Sequence, residues 1–168
     1  MEFLIKKKKK NMLTELNKQI NEELYSSYLY VSMAANFKDM NLEGMAAWME
    51  KQAKEEVEHA MKFYNYIYSV GGSVELHRID KPSGSWKTAL SAFEAAYKHE
   101  KHVTGRIHFL LDLANKEKDY PTASMLKWFV DEQVEEEASA DEIVQKLKLA
   151  HDAPGAVLMI DRELGSRK

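Results

Sequence analysis

Four stretches of the chain repeat apolar residues at alternating steps of three and four, the period of a helix that buries one face in a bundle. The first runs from Asn11 to Asp39 through Leu13, Leu16, Ile20, Ser27, Tyr30, Ala34 and Phe37. The second starts near Leu42, follows Met45, Met49, Phe63 and Tyr66, and ends before Gly71-Gly72, where glycine readily takes a left-handed stop. The third starts between Trp86 and Thr88, passes Leu90, Phe93, Tyr97, Ile107 and Leu111, and reaches Lys116. The fourth opens at Pro121, favoured in a first turn, with Asp119 upstream as a cap, and runs to Ala150. A short fifth helix is predicted after Pro154-Gly155, carrying Val157, Leu158, Ile160 and Leu164.

The lengths of the links predict the topology. Few residues join the first helix to the second or the third to the fourth, so each pair is an antiparallel hairpin. The link between the second and third helices, of roughly 15 residues, reaches about 50 Å when extended. A 28-residue helix is about 42 Å long, so the link traverses the bundle and leaves its two flanking helices parallel.

Each apolar seam is interrupted at mid-length by acid: Glu23, Glu56 with His59, Glu100, and Gln133 with Glu136. Setting Asp39 opposite Glu43 at the first hairpin tip puts Glu23 level with His59. Setting Asn115 opposite Pro121 at the second puts Glu100 level with Glu136. The second and third helices run parallel, and Glu56 lies 13 residues past Glu43 as Glu100 lies 13 past Lys87, so the four interruptions fall in one layer. Buried carboxylates cost several kcal/mol each, in rough terms, unless paired or bound to a metal, and the seams bring no lysine or arginine to that layer. Glu56 and His59, at i and i+3, share a helical face and can share an ion. Glu-x-x-His with single glutamates from neighbouring helices is a di-iron carboxylate pattern, and carboxylate oxygen with imidazole nitrogen suits iron. His99 and His102 flank Glu100 but are predicted to face the surface.

Composition narrows the choices. Hydrophobic residues are 45% and charged residues 30% of 168, the balance of one globular domain. Glycine and proline are scarce, seven and three, and cluster at Gly71-Gly72, Pro82-Ser83-Gly84, Pro121 and Pro154-Gly155. No cysteine is present, which excludes disulfides and thiolate metal sites. A net charge of −3 argues against a general nucleic-acid partner, and the apolar runs are too short to span a membrane. Residues 1–10, with Lys6 to Lys10 in succession, read as a solvated extension before a domain at 11–168.

The stretches Leu16–Tyr30, Glu55–His59, Phe93–Glu100 and Leu126–Glu137 resemble bacterial and archaeal non-haem ferritins, from about Asn11 onward. The resemblance implies an all-α, ferritin-like four-helix bundle with a long crossover and a short C-terminal helix. It implies a cytoplasmic iron-storage protein with ferroxidase activity, a homo-oligomer of twenty-four subunits, acting on ferrous iron with dioxygen or peroxide. Glu23, Glu56 and His59 match one iron site, with Glu56 bridging, Glu100 completing a second and Gln133 hydrogen-bonding nearby. A third iron site maps onto Glu55, Glu132, Glu135 and Glu136. Tyr30 and Trp128 match aromatic residues beside the centre. The resemblance also implies a three-fold pore near the start of the fourth helix, where Thr122, Ala123 and Leu126 are the inward candidates. Iron is then expected to enter through the subunit wall beside Glu55 and Glu132. Bacterioferritins carry a second Glu-x-x-His where this chain has Glu132-Gln133-Val134-Glu135, and a haem-ligating methionine where it has Val57, so no haem is expected. The alternative activity is a di-iron oxidase or peroxide-scavenging enzyme of the same superfamily.

Overall fold

The computed structural model describes the backbone of residues 2–166 and the side chains of residues 11–166. The predicted lysine extension has its side chains outside the described residues. Its backbone continues the first helix, so α1 spans Glu2–Asp39 rather than starting at Asn11. The others are α2 (Glu43–Ser69), α3 (Ala89–Glu117), α4 (Tyr120–Ala150) and α5 (Pro154–Gly165). No strand occurs among the described residues.

The helix ends follow local chemistry. Thr88 and Ser91 form a reciprocal capping box at the start of α3. Asp119 accepts the Thr122 N–H at the start of α4, with Pro121 in the first turn. Gly71 has φ +74°, the left-handed conformation glycine takes without strain.

The crossover, residues 70–88, is longer than predicted and lies along α1. Two asparagines of α1 pin it. Near one end, Asn17 Nδ2 donates to the Ser73 carbonyl at 3.1 Å and Asn17 Oδ1 accepts from Glu75 N–H at 2.7 Å. Near the other, Asn36 Oδ1 accepts from Trp86 N–H at 3.1 Å and its Nδ2 donates to the Trp86 carbonyl at 3.3 Å. These anchors stand about 28 Å apart along α1 at 1.5 Å per residue. The link therefore traverses the bundle, as the hairpin reading requires.

The core divides in two. One apolar cluster holds Met33, Phe37, Met45, Met49 and Phe93; the other holds Met12, Leu16, Phe63, Ile107 and Phe129. Between them lies the polar layer. The seams drift from the strict repeat: Ile67, not Tyr66, is buried at the end of α2, and Leu110, not Leu111, in α3. A straight helix of 3.6 residues per turn rotates by about 20° per heptad against a 3.5 period. Thr122, Ala123 and Leu126 are buried. Leu126 packs in the second cluster, which corrects the expectation that it lines a pore.

Helix α5 docks where sequence periodicity gave no guidance. Its buried Asp161 accepts the backbone N–H of Met45 at 2.8 Å, capping α2 in place of Leu42, which offers no side-chain bond. Gly44 permits the approach: a Cβ there would stand 1.8 Å from the Asp161 carbonyl oxygen.

Candidate metal centre

All four bundle helices contribute to the layer between the two apolar clusters. Glu23 and Tyr30 come from α1, Glu56 and His59 from α2, Glu100 from α3, and Gln133 and Glu136 from α4, and all are buried. Glu23, Glu56 and His59 each bring a ligand atom within 4.8 Å of the others. His59, Glu132 and Glu136 form a second group of the same span, so His59 belongs to both.

Most of the acids are held by neutral donors. Gln19 Nε2 donates to Glu23 Oε1 at 2.8 Å, Gln52 Nε2 to Glu136 Oε2 at 2.6 Å and to Glu56 Oε1 at 3.4 Å, and Gln133 Nε2 to Glu100 Oε2 at 3.2 Å. The Tyr30 hydroxyl donates to Glu100 Oε1. His59 Nδ1 lies 3.4 Å from Glu56 Oε2. Glu23 Oε2 is buried with no hydrogen-bond partner. A buried carboxylate oxygen without a donor is costly, and a cation between Glu23, Glu56 and His59 would satisfy it. The donor set therefore fits a divalent ion with mixed oxygen and nitrogen preference, iron among them.

The electrostatics agree. Burial, then the facing Glu56, raises Glu23 well above the usual carboxylate range. Burial, then Glu100 and Glu136, does the same for Glu56. Burial also raises Glu100, and burial with the Glu100 charge raises Glu136 to about 7. Burial and the neighbouring Glu100 push the Tyr30 hydroxyl up. Four acids whose charges oppose one another form a site awaiting positive charge.

The remaining predicted residues sit further out. Glu132 is half-buried, with Oε1 4.0 Å from His59 Nε2. Glu55 is half-buried and its carboxylate is 3.7 Å from Lys51 Nζ. Glu135 is exposed, and neither ion-binding group includes it. An open pocket of about 570 Å³ leads from the surface to His59 and Glu132, walled by Glu55, Val57, Lys62 and Trp128. The Lys62 ammonium lies 3.3 Å from the centre of the Trp128 ring, and that ring meets His59 edge-on at 5.5 Å.

Gln19 and Gln52 complete the centre. Gln52 stands three residues after Met49 and four before Glu56, in step with the second seam; Gln19 lies off the first seam, four residues before Glu23, the spacing at which an amide meets an acid on one helix face. His99 is corrected from surface to half-buried: its Nε2 is 2.7 Å from Ser26 Oγ, and burial, then His102, lowers it to about 4. His102 is exposed and 2.9 Å from Glu22.

Residues 13–150 match the family model described as a ferritin-like domain. The chain is similar to a bacterial non-heme ferritin of Bacteroides fragilis, 43% identical over 152 residues, covering 90% of this chain and 94% of that one. A bacterial non-heme ferritin of Staphylococcus aureus is 38% identical over 158 residues, 94% and 95% of the two chains. Among solved structures, an open pore ferritin from the hyperthermophilic archaeon Archaeoglobus fulgidus is 47% identical, covers 94% of this chain and 98% of its own, and superposes with a TM-score of 0.93. A five-helix fold, a buried carboxylate–histidine centre and relatedness over nearly the whole length agree: the chain belongs to the ferritin family.

Proposed function

We propose that the chain is a ferroxidase and iron store. It oxidises ferrous iron at the buried layer in the cytoplasm and holds ferric mineral inside a hollow shell of twenty-four copies. The observation that carries this reading is the convergence of Glu23, Glu56 and His59 around an unpartnered, fully buried carboxylate oxygen.

Ferrous ions are the substrate. Glu23, Glu56 and His59 bind one, and Glu56 with Glu100 binds a second. Dioxygen takes one electron from each of two ferrous ions and leaves as peroxide after gaining two protons. The two protons come from solvent, and the acids with raised pKa release protons of their own as cations enter and regain them when the cations leave. Glu132 and Glu136 hold a third ion, with Glu55 at its edge, while the single free lone pair of the His59 ring serves the first. Iron enters through the pocket walled by Glu55, Val57, Lys62 and Trp128.

Exposed apolar residues support self-association: Tyr28 and Val31 on one face of α1 are 51% and 50% exposed, and Leu76 in the crossover 68%. Size-exclusion chromatography with iron loading tests the storage reading. A very large particle that takes up far more iron than its binding centres can hold supports it, and a small oligomer that stops at a few ions per chain contradicts it.

A further inference from the structure

Three glutamines donate to acids of the centre, and one differs from the others. Gln19 serves Glu23, and Gln133 serves Glu100 through its carboxylate and its backbone carbonyl. Gln52 faces two acids in different ion-binding groups. Its amide is 2.6 Å from Glu136 Oε2, in the group shared with His59 and Glu132, and 3.4 Å from Glu56 Oε1, in the group shared with Glu23 and His59. Gln52 is 1% exposed, so water does not readily replace it.

We infer that Gln52 is a positioning residue that sets the affinity of the second ion-binding group relative to the first. An amide nitrogen carries two hydrogens, one for each acid. By holding Glu136 Oε2 it leaves Oε1 for an ion shared with Glu132. By holding Glu56 Oε1 it leaves Oε2 on the His59 side, where that oxygen already lies 3.4 Å from Nδ1. The two contacts are unequal. The short one fixes Glu136, which has no other donor among the hydrogen bonds described. The long one only leans on Glu56, which His59 orients independently. Removing the amide therefore frees Glu136 more than Glu56. Outer partners of ligating carboxylates commonly govern affinity by about 10- to 100-fold.

The inference rests on the functional reading above, and its test separates the two. Cobalt(II), which does not turn over in the absence of oxidant, is titrated into the full-length apo protein by calorimetry, and its positions are read from anomalous scattering. Wild type is expected to fill both groups, with His59 on the ion of Glu23 and Glu56 and the other ion held by Glu132 and Glu136, since a neutral imidazole has one free lone pair. Gln52→Met keeps the length and removes the donor; it is expected to weaken the ion at Glu132 and Glu136 by at least about tenfold, and the ion at Glu23, Glu56 and His59 by less than about threefold. Gln52→Leu, of similar size and also without a donor, is expected to change the ratio in the same way, whereas general loosening of the core would weaken both ions together. A wild-type chain that takes cobalt at neither group fails the functional reading. A wild type that fills both, with an unchanged ratio in Gln52→Met, overturns the role of Gln52.

Discussion

Asp161 in α5 caps α2 through the backbone N–H of Met45, at 2.8 Å. The fifth helix is therefore part of the bundle's stability, since it satisfies a donor that α2 leaves open at its own start. Asp161→Ala is expected to cost about 1 kcal/mol, the usual worth of such a cap, read as a lowered midpoint in chemical denaturation. Gly44→Ala is expected to cost more, because its Cβ meets the Asp161 backbone rather than a movable side chain. Unchanged midpoints in both would show that α5 is not docked in solution.

Stability of the apo protein is expected to fall as pH rises. Glu136 moves from the usual 4.5 to about 7 on folding, and Glu23, Glu56 and Glu100 are also raised. A raised folded pKa means the native state binds the proton more tightly, so this contribution is full below the unfolded value and is lost as pH climbs through the folded one. The window for Glu136 is thus 4.5 to about 7. Denaturation of metal-free protein at pH 5 to 8 checks it, with Glu136→Gln as control. The variant is expected to show a shallower fall, and identical slopes would contradict the assignment. Adding cobalt(II) should oppose the trend, because binding needs the ionised acids.

Much of this centre was legible in the chain. Helices rise by a constant amount per residue, so the hairpin tips, with the parallel run of the second and third helices, placed Glu23, His59, Glu100 and Glu136 at one height. Buried acids on apolar seams were conspicuous because so few partners could neutralise them. The docking of α5 was not legible, since it depends on a close approach at Gly44 and a contact between residues 116 positions apart. The inward turn of Leu126 was missed for a different reason: its place was inferred from a pore between subunits, whereas its side chain fills its own subunit's core. His99 was misjudged because a half-buried histidine satisfied by Ser26 looks in sequence like any polar residue on an outer face.

The pocket beside Trp128 is expected to be the route for ferrous iron. Val57 lines it and is 41% exposed, so Val57→Trp narrows the opening without disturbing the core. The initial oxidation rate is expected to fall by roughly tenfold, with the cobalt affinity of the inner group little changed, the pattern of obstructed access rather than lost chemistry. An unaltered rate in Val57→Trp would assign entry elsewhere.

The central claim is that the buried layer oxidises ferrous iron, and Glu56 is the residue most exposed to test. It joins Glu23 and His59 in one group and feels the charges of Glu100 and Glu136 across the bundle. Stopped-flow absorbance on mixing anaerobic ferrous-loaded protein with dioxygen compares wild type with Glu56→Ala, at equal assembly by size exclusion. The account predicts an initial rate lowered by about a hundredfold or more, because a ligand contributes more than its outer partners do. An initial rate in Glu56→Ala equal to that of wild type would contradict it.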